Sequence, residues 1–413
     1  MKFSLSNLEH FFVSLLFFLL TVDNKFLPPL LVLIFVINLI KFDKRSFIAR
    51  IRSSWKYYSI FVILFFALSL SIFWTEDLKS GFDGIERRFF FVVAPFLFLN
   101  IELTYKKLIF YLKMYILGTM LASSFFLVNG ILEFMSIYSP NIKYPFYAFL
   151  FIFSTIMDDF EVHRAYFSVS VLLSIVFLFG NILLFKRIKW LMIFYFIIIV
   201  LLFQSKMSIL ILISIFSAIF VIFFIKGNYK FKIIISVFFL SVLFLTGLIM
   251  KKRFDTMLRN IHRIDLVNGG GSTIERIQYF NSAITLINRN YWGYGIGDVK
   301  DEMSNMIHEL NYKKLAINNV GDPHNEFLNV FLISGCLGFG VLLLLFWKLF
   351  KYSFLYKNWI LFSVVWIFFC SCMTESYLSR QGGILPFLIF SCLLYRIKIP
   401  ATPHVLINNK DDK

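Results

Sequence analysis

The sequence predicts an all-α polytopic membrane protein with about twelve transmembrane helices and one long extramembrane segment between helices nine and ten. Three observations carry this. Of the 413 residues, 59% are hydrophobic, 20% aromatic and 16% charged, against roughly a quarter charged in a water-soluble domain. Apolar runs recur along nearly the whole chain and leave little sequence for a separate soluble domain. The 41 Lys and Arg set a formal charge of +17. They fall mostly between runs and in alternate connecting segments, those of one side, as the positive-inside bias requires, and not in the single basic patch that a nucleic acid needs.

Crossing the hydrocarbon as a helix takes about 20 apolar residues. In order, the predicted spans are residues 11–22, 26–40, 57–74, 89–101, 107–130, 165–185, 190–203, 207–225, 231–250, 325–347, 357–373 and 384–395. The shorter ones cross with the help of tilt and flanking residues. The first resembles a signal-peptide core, but no small-residue cleavage site follows and another apolar run begins at once, so it reads as a retained helix. With the N-terminus inside, the inside segments hold 22 of the 41 Lys and Arg and the short outside segments eight; Lys113 lies within a span, and the last ten fall in one long outside segment. The expected organisation is helices one to nine over 1–250, the outside segment with an amphipathic helix over 251–324, helices ten to twelve over 325–398, and an inside tail over 399–413. The four cysteines, Cys336, Cys370, Cys372 and Cys392, all lie in predicted spans. Neither a disulfide framework nor a zinc site is supported.

The outside segment is where chemistry has room. After Gly269-Gly270-Gly271, the run Ser272-Thr273-Ile274-Glu275 has the form of a capping box and predicts a helix from Thr273 to about Asn288, with Arg276 in its first turns. Tyr291-Trp292-Gly293-Tyr294-Gly295-Ile296-Gly297-Asp298 is glycine-punctuated but lacks the strand and Lys-Ser/Thr of a nucleotide loop; it reads as a tight turn with interface aromatics. Asp322-Pro323-His324-Asn325 opens the tenth span, with Asp322 as the expected N-cap and Pro323 at the first helical position. That places His324 at a helix start on the membrane surface, as a candidate proton acceptor. Arg87 and Arg88 precede the fourth span, and His163, Arg164 and Tyr166 precede the sixth. Lys206 follows Ser205, and Glu375 and Arg380 precede the last span. Each alone reads as an interface anchor, but cations gathered on one face suit an anionic group such as a diphosphate.

The stretch from Arg276 through NRNYWGYGIGD to DPHNEFLNVFLISGCLGFG resembles the bacterial O-antigen ligase and O-antigen polymerase-like membrane glycosyltransferases, in which a Pro-His-Asn element precedes a helix with a G-x-x-G, here Gly335 and Gly338. HRAYFSVSV from His163 and TESYLSRQGGILPF from Thr374 resemble further family segments. The resemblance implies a twelve-helix, GT-C-like fold in the bacterial inner membrane with both termini cytoplasmic. It implies glycan transfer from a polyprenyl (undecaprenyl) diphosphate carrier on the periplasmic face, inverting and without metal, cofactor or nucleotide sugar. His324 would be the general base and Arg276 a catalytic, diphosphate-binding arginine. Lys206 stands where the family has arginine, which keeps the charge but loses the bidentate fork. Arg87 and Arg88 would assist at the diphosphate; His163, Arg164, Tyr166, Asn325, Glu375 and Arg380 would support the site or the acceptor.

The implied partners are the lipid-linked glycan donor, membrane lipids, and lipid A–core or another glycan or protein as acceptor, with no nucleic acid. Within this chemistry, ligation to lipid A–core leads; repeat-unit polymerisation and protein O-glycosylation are the alternatives. A lipid-linked-sugar flippase is the rival from another class. Transporters tend to carry ionisable groups at mid-membrane, whereas charge here gathers at helix ends with Lys113 the main exception.

Overall fold

The computed structural model describes residues 5–22, 26–138, 145–160, 162–180, 185–226, 272–318 and 321–396, with scattered positions between 232 and 255. Among the described residues the chain is helical, with no strand. Parts of the predicted ninth span, and the triple glycine and the tail over 399–413, lie outside them. Among the described residues three helices are long and apolar enough to cross a membrane, Lys44–Trp74, Tyr105–Ile137 and Glu326–Leu355, and several shorter apolar helices accompany them.

The chain divides into two compact units, one of residues 1–12, 29–105 and 256–413, the other of 13–28 and 106–255. In chain order the helices are α1 (Leu5–Leu19), α2 (Leu27–Ile40), α3 (Lys44–Ser69, continued by a 3-10 turn to Trp74), α4 (Leu78–Arg88), α5 (Phe90–Asn100), α6 (Tyr105–Ile137), α7 (Pro145–Asp159), α8 (Arg164–Gly180), α9 (Lys189–Phe203), α10 (Lys206–Lys226), α11 (Ser272–Arg289), α12 (Val299–Glu309), α13 (Lys313–Asn318), α14 (Glu326–Leu355), α15 (Trp359–Cys372) and α16 (Gln381–Arg396).

In the first unit, α3 packs on α5 and α14, α16 on α5 and α15, and α11 on α12 and α14. One end of this bundle is basic and aromatic. There the Lys41 ammonium reaches Glu9 at 2.7 Å and Glu102 at 3.3 Å, and Arg50 donates to the Leu99 and Asn100 carbonyls. Arg396 donates to the Phe98 and Ile101 carbonyls. These guanidinium groups satisfy the orphan carbonyls at the C-terminus of α5 and suit its negative dipole end. Tyr57 stacks on Tyr395 at 3.6 Å and meets Tyr352 at 5.3 Å. From this end α3 and α15 run to the opposite end, and α5, α14 and α16 run back. Those alternating directions are the ones the charge distribution predicts for the third, fourth, tenth, eleventh and twelfth spans.

In the second unit, hydroxyl groups tie apolar helices together. Ser174 Oγ donates to Thr119 Oγ1 at 3.1 Å, and the Tyr195 hydroxyl lies 2.9 Å from Ser124 Oγ and 3.1 Å from Ser123 Oγ. Such bonds hold helices where burial of apolar surface gives no drive. α7 is an addition to the predicted spans. Its 15 residues reach only about 22 Å at 1.5 Å per residue.

α14 is two helices joined at a break. Ser334 and Gly335 have non-helical dihedrals, and the freed carbonyls of Leu332 and Ile333 accept the N–H groups of Tyr294 at 2.7 Å and Gly295 at 3.0 Å. The N–H of Cys336 reaches the Tyr291 carbonyl at 3.1 Å. The glycine-punctuated turn is therefore a plug seated in a helix break. Gly335, at φ 61° and ψ −152°, occupies a region open essentially to glycine, and a Cβ there would collide with the Tyr291 carbonyl. Trp292 stays 79% exposed.

Candidate functional site

The end of the first unit opposite the basic cluster gathers the start of α11, the segment before α14, and the connection between α15 and α16. The amphipathic helix predicted after the triple glycine is α11, with Glu275 in its first turn. Arg276 and Tyr279, three residues apart, share a face of it. The Arg276 Nη2 donates to Glu375 Oε1 at 2.8 Å, and the other oxygen of that carboxylate lies 3.2 Å from His324 Nδ1. Glu375 is 6% exposed; the Arg276 side chain is about half exposed. A carboxylate only accepts, so Nδ1 carries the proton and Nε2 is the ring nitrogen left to take one.

His324 is pinned by its neighbours. Its backbone N–H donates to Asp322 Oδ1 at 2.9 Å, in a left-handed conformation at φ 48°. The Tyr279 ring packs against the imidazole with 5.0 Å between centroids. Burial pushes the Tyr279 phenol up to about 12, with Glu275 and Asp322 adding to the rise, so it stays neutral and acts by packing. Asp322 also accepts from the Ser376 hydroxyl and from Arg380 Nη2 at 3.5 Å. Arg276 and Arg380 thus flank the histidine, each paired with a carboxylate that also holds it.

The expected N-cap is displaced. Asn325, not Asp322, caps α14, its Oδ1 accepting from the Leu328 N–H at 3.1 Å. Asp322 is occupied by His324 and Ser376 instead, and His324 therefore stands just before the helix and not within its first turn. Asn325 also donates to the Met373 carbonyl at 3.0 Å.

The remaining predicted residues separate. Arg87 is exposed and its Nε donates to the Asp83 carbonyl in its own helix. Arg88 is 5% exposed, with Nη2 on Ser379 Oγ at 2.7 Å and Nη1 on the Gly84 carbonyl at 3.1 Å; burial lowers its affinity for its proton. His163, Arg164, Tyr166 and Lys206 belong to the second unit. His163 and Tyr166 pack edge to face at 5.3 Å, and Lys206 opens α10 two residues after Gln204, whose φ of 52° ends α9.

Residues that the sequence reading did not single out are Tyr279, Asn329, Ser376 and Ser379; Glu326 is weighed there only as a metal ligand with Asp322 and His324. The available signal was the three-residue spacing from Arg276 to Tyr279, and the direct succession of Glu326 to the Pro-His-Asn element.

Residues 191–343 match the protein family described as O-antigen ligase. The likeness to that family is shown over this stretch. The ligase-like region contains Lys206, Arg276, Tyr279 and His324 and the first half of α14, including its break, while Glu375 and Arg380 come from beyond it. No curated protein matches the chain. The family supports activity of the O-antigen ligase or polymerase type, and the apolar helices support a membrane protein.

Proposed function

We propose that this protein transfers a glycan from a polyprenyl (undecaprenyl) diphosphate carrier to an acceptor hydroxyl on the periplasmic face of the bacterial inner membrane, with lipid A–core as the leading acceptor. The single observation that carries the reading is the Arg276–Glu375–His324 line, built around the Pro-His-Asn element of a ligase-like region.

In this mechanism the acceptor oxygen attacks the anomeric carbon of the donor as His324 Nε2 removes its proton. The bond from that carbon to the diphosphate oxygen breaks, its electron pair leaves with the diphosphate, and the anomeric configuration inverts. Glu375 fixes the ring through Nδ1 and stabilises the imidazolium that forms, as the buried carboxylate of a catalytic triad does. Arg276 stabilises the charge that grows on the diphosphate, with the exposed Arg87 as a further cation. Arg380 and Asn325, beside the histidine, support the acceptor side. A diphosphate is already a good leaving group, so this chemistry asks for no metal, and transfer should persist in excess chelator.

The test supplies purified protein with a defined polyprenyl-diphosphate glycan and one of three acceptors: lipid A–core, a second glycan, or a periplasmic protein. Modification of lipid A–core, with one free polyprenyl diphosphate released per transfer, is the expected result. Extension of the glycan or modification of the protein would move the reading to a polymerase or a protein O-glycosylating enzyme. Movement of donor between leaflets without any acceptor would replace it with a flippase.

A further inference from the structure

Glu375 reaches His324 from the connection between α15 and α16, and a buried set of polar side chains holds that connection in place. The Leu378 N–H donates to Glu326 Oε2 at 2.9 Å. Ser379 Oγ lies 3.1 and 3.2 Å from the two oxygens of Glu326. The same hydroxyl accepts from Arg88 Nη2 at 2.7 Å and from Asn329 Nδ2 at 2.7 Å. Glu326 is 1% exposed and Arg88 5%. Three elements therefore meet at one hydroxyl: the end of α4 through Arg88, the first turn of α14 through Glu326 and Asn329, and the turn Tyr377–Ser379 that follows Glu375.

Two buried groups of opposite charge are a poor route to stability, because desolvation offsets their attraction and apolar side chains serve as well. They are an effective way to fix a turn, since each hydrogen bond made by a buried polar group is costly to leave unmade, although Arg88 Nε has no hydrogen-bond partner among the described residues. The elements it joins carry the two reacting-site residues that must meet, His324 two positions before Glu326 and Glu375 four positions before Ser379.

We propose that Arg88, Glu326, Asn329 and Ser379 form a buried clasp that positions Glu375 against His324, and that Arg88 serves the reaction through this clasp and not by contact with the donor diphosphate. The inference rests on the glycan-transfer reading above. These are positioning residues: each acts on the acceptor proton only by setting where the carboxylate and the imidazole stand.

The experiment measures transfer by the purified full-length protein in detergent or vesicles, with defined polyprenyl-diphosphate glycan and acceptor. Ser379→Ala should lower kcat by about 10- to 100-fold, the scale of a small misplacement of a catalytic group, while the donor KM changes by less than about threefold. Ser379→Thr, which keeps the hydroxyl, should restore most of the rate. Arg88→Lys should likewise lower kcat without raising the donor KM; a raised KM would return Arg88 to the diphosphate. Combining Ser379→Ala with Glu375→Gln should give no further loss over Glu375→Gln alone, because both act on one geometry. Multiplying losses would overturn the clasp. So would wild-type kcat in Ser379→Ala and Asn329→Ala while Glu375→Gln and His324→Ala abolish transfer, an outcome that leaves the glycan-transfer reading intact. Wild-type rates in His324→Ala and Glu375→Gln would remove that reading and the clasp with it. Thermal melting of each variant separates folding failure from these outcomes, and Asn329→Ala replaces Ser379→Ala should the latter not fold.

Discussion

Glu375 serves a cation and an imidazole with its two oxygens, Arg276 on one and His324 on the other. In the proposed transfer its charge, and not only its shape, matters, because the histidine becomes an imidazolium as it takes a proton. Glu375→Gln keeps the shape and should lower transfer by about 10²- to 10⁴-fold, read as kcat in the three-acceptor assay. Arg276→Lys retains a charge but loses the planar fork that suits phosphate oxygens, and should keep only a small part of the rate. Tyr279 gives a stability test. Its phenol is raised from 10.0 to about 12, so folding favours the neutral form. Its contribution is complete below about pH 10 and is lost as pH rises from there to about 12. Tyr279→Phe should flatten the alkaline fall in melting temperature over that interval. At this scale the sequence singled out His324 by its place at a helix start in the outside segment, Arg276 through the family resemblance, and left Glu375 between two roles. Tyr279, Ser379 and Asn329 escaped because their partners lie far along the chain, as Ser379 does from Arg88, where no local spacing reports contact.

The break in α14 and the turn over 291–297 form one device, since each satisfies backbone groups that the other leaves open. Gly335→Ala should cost about 1–3 kcal/mol from the dihedral alone, with more from the lost plug, and appear as a lowered melting temperature. Asp298 secures the same turn to the loop after α3, its carboxylate accepting from the Glu76 N–H at 2.7 Å and the Asp77 N–H at 2.8 Å. Apolar periodicity located most helices to within a few residues, because a membrane helix is written in continuous apolar runs. It did not give α7, whose apolar stretch over 146–157 is shorter than a span, or α4, whose polar face hides it in a charged loop. The N-cap was misplaced by three residues for a local reason: Asp322 and Asn325 both suit a cap, and only the fold shows that Ser376 and Arg380 occupy Asp322.

Across the first unit, the basic end that holds Lys41, Arg50 and Arg396 lies opposite the end that holds His324. The charge count predicted that separation from the alternation of runs alone, since a basic excess on one side is a property of topology and survives errors in any single boundary. If the basic end is cytoplasmic, a cysteine placed at Arg289 should react with a membrane-impermeant thiol reagent added outside, and one placed at Lys44 should react only after the membrane is opened. What the sequence could not express is which outside cations share a site, because that depends on helix packing over long separations. The central claim is that His324 is the base of a glycan transfer from a lipid diphosphate. Its most direct test is release of polyprenyl diphosphate by purified wild type and His324→Ala at matched protein level, with lipid A–core supplied. The account predicts acceptor-dependent release by the wild type and none above background by the variant; equal release by both would contradict it.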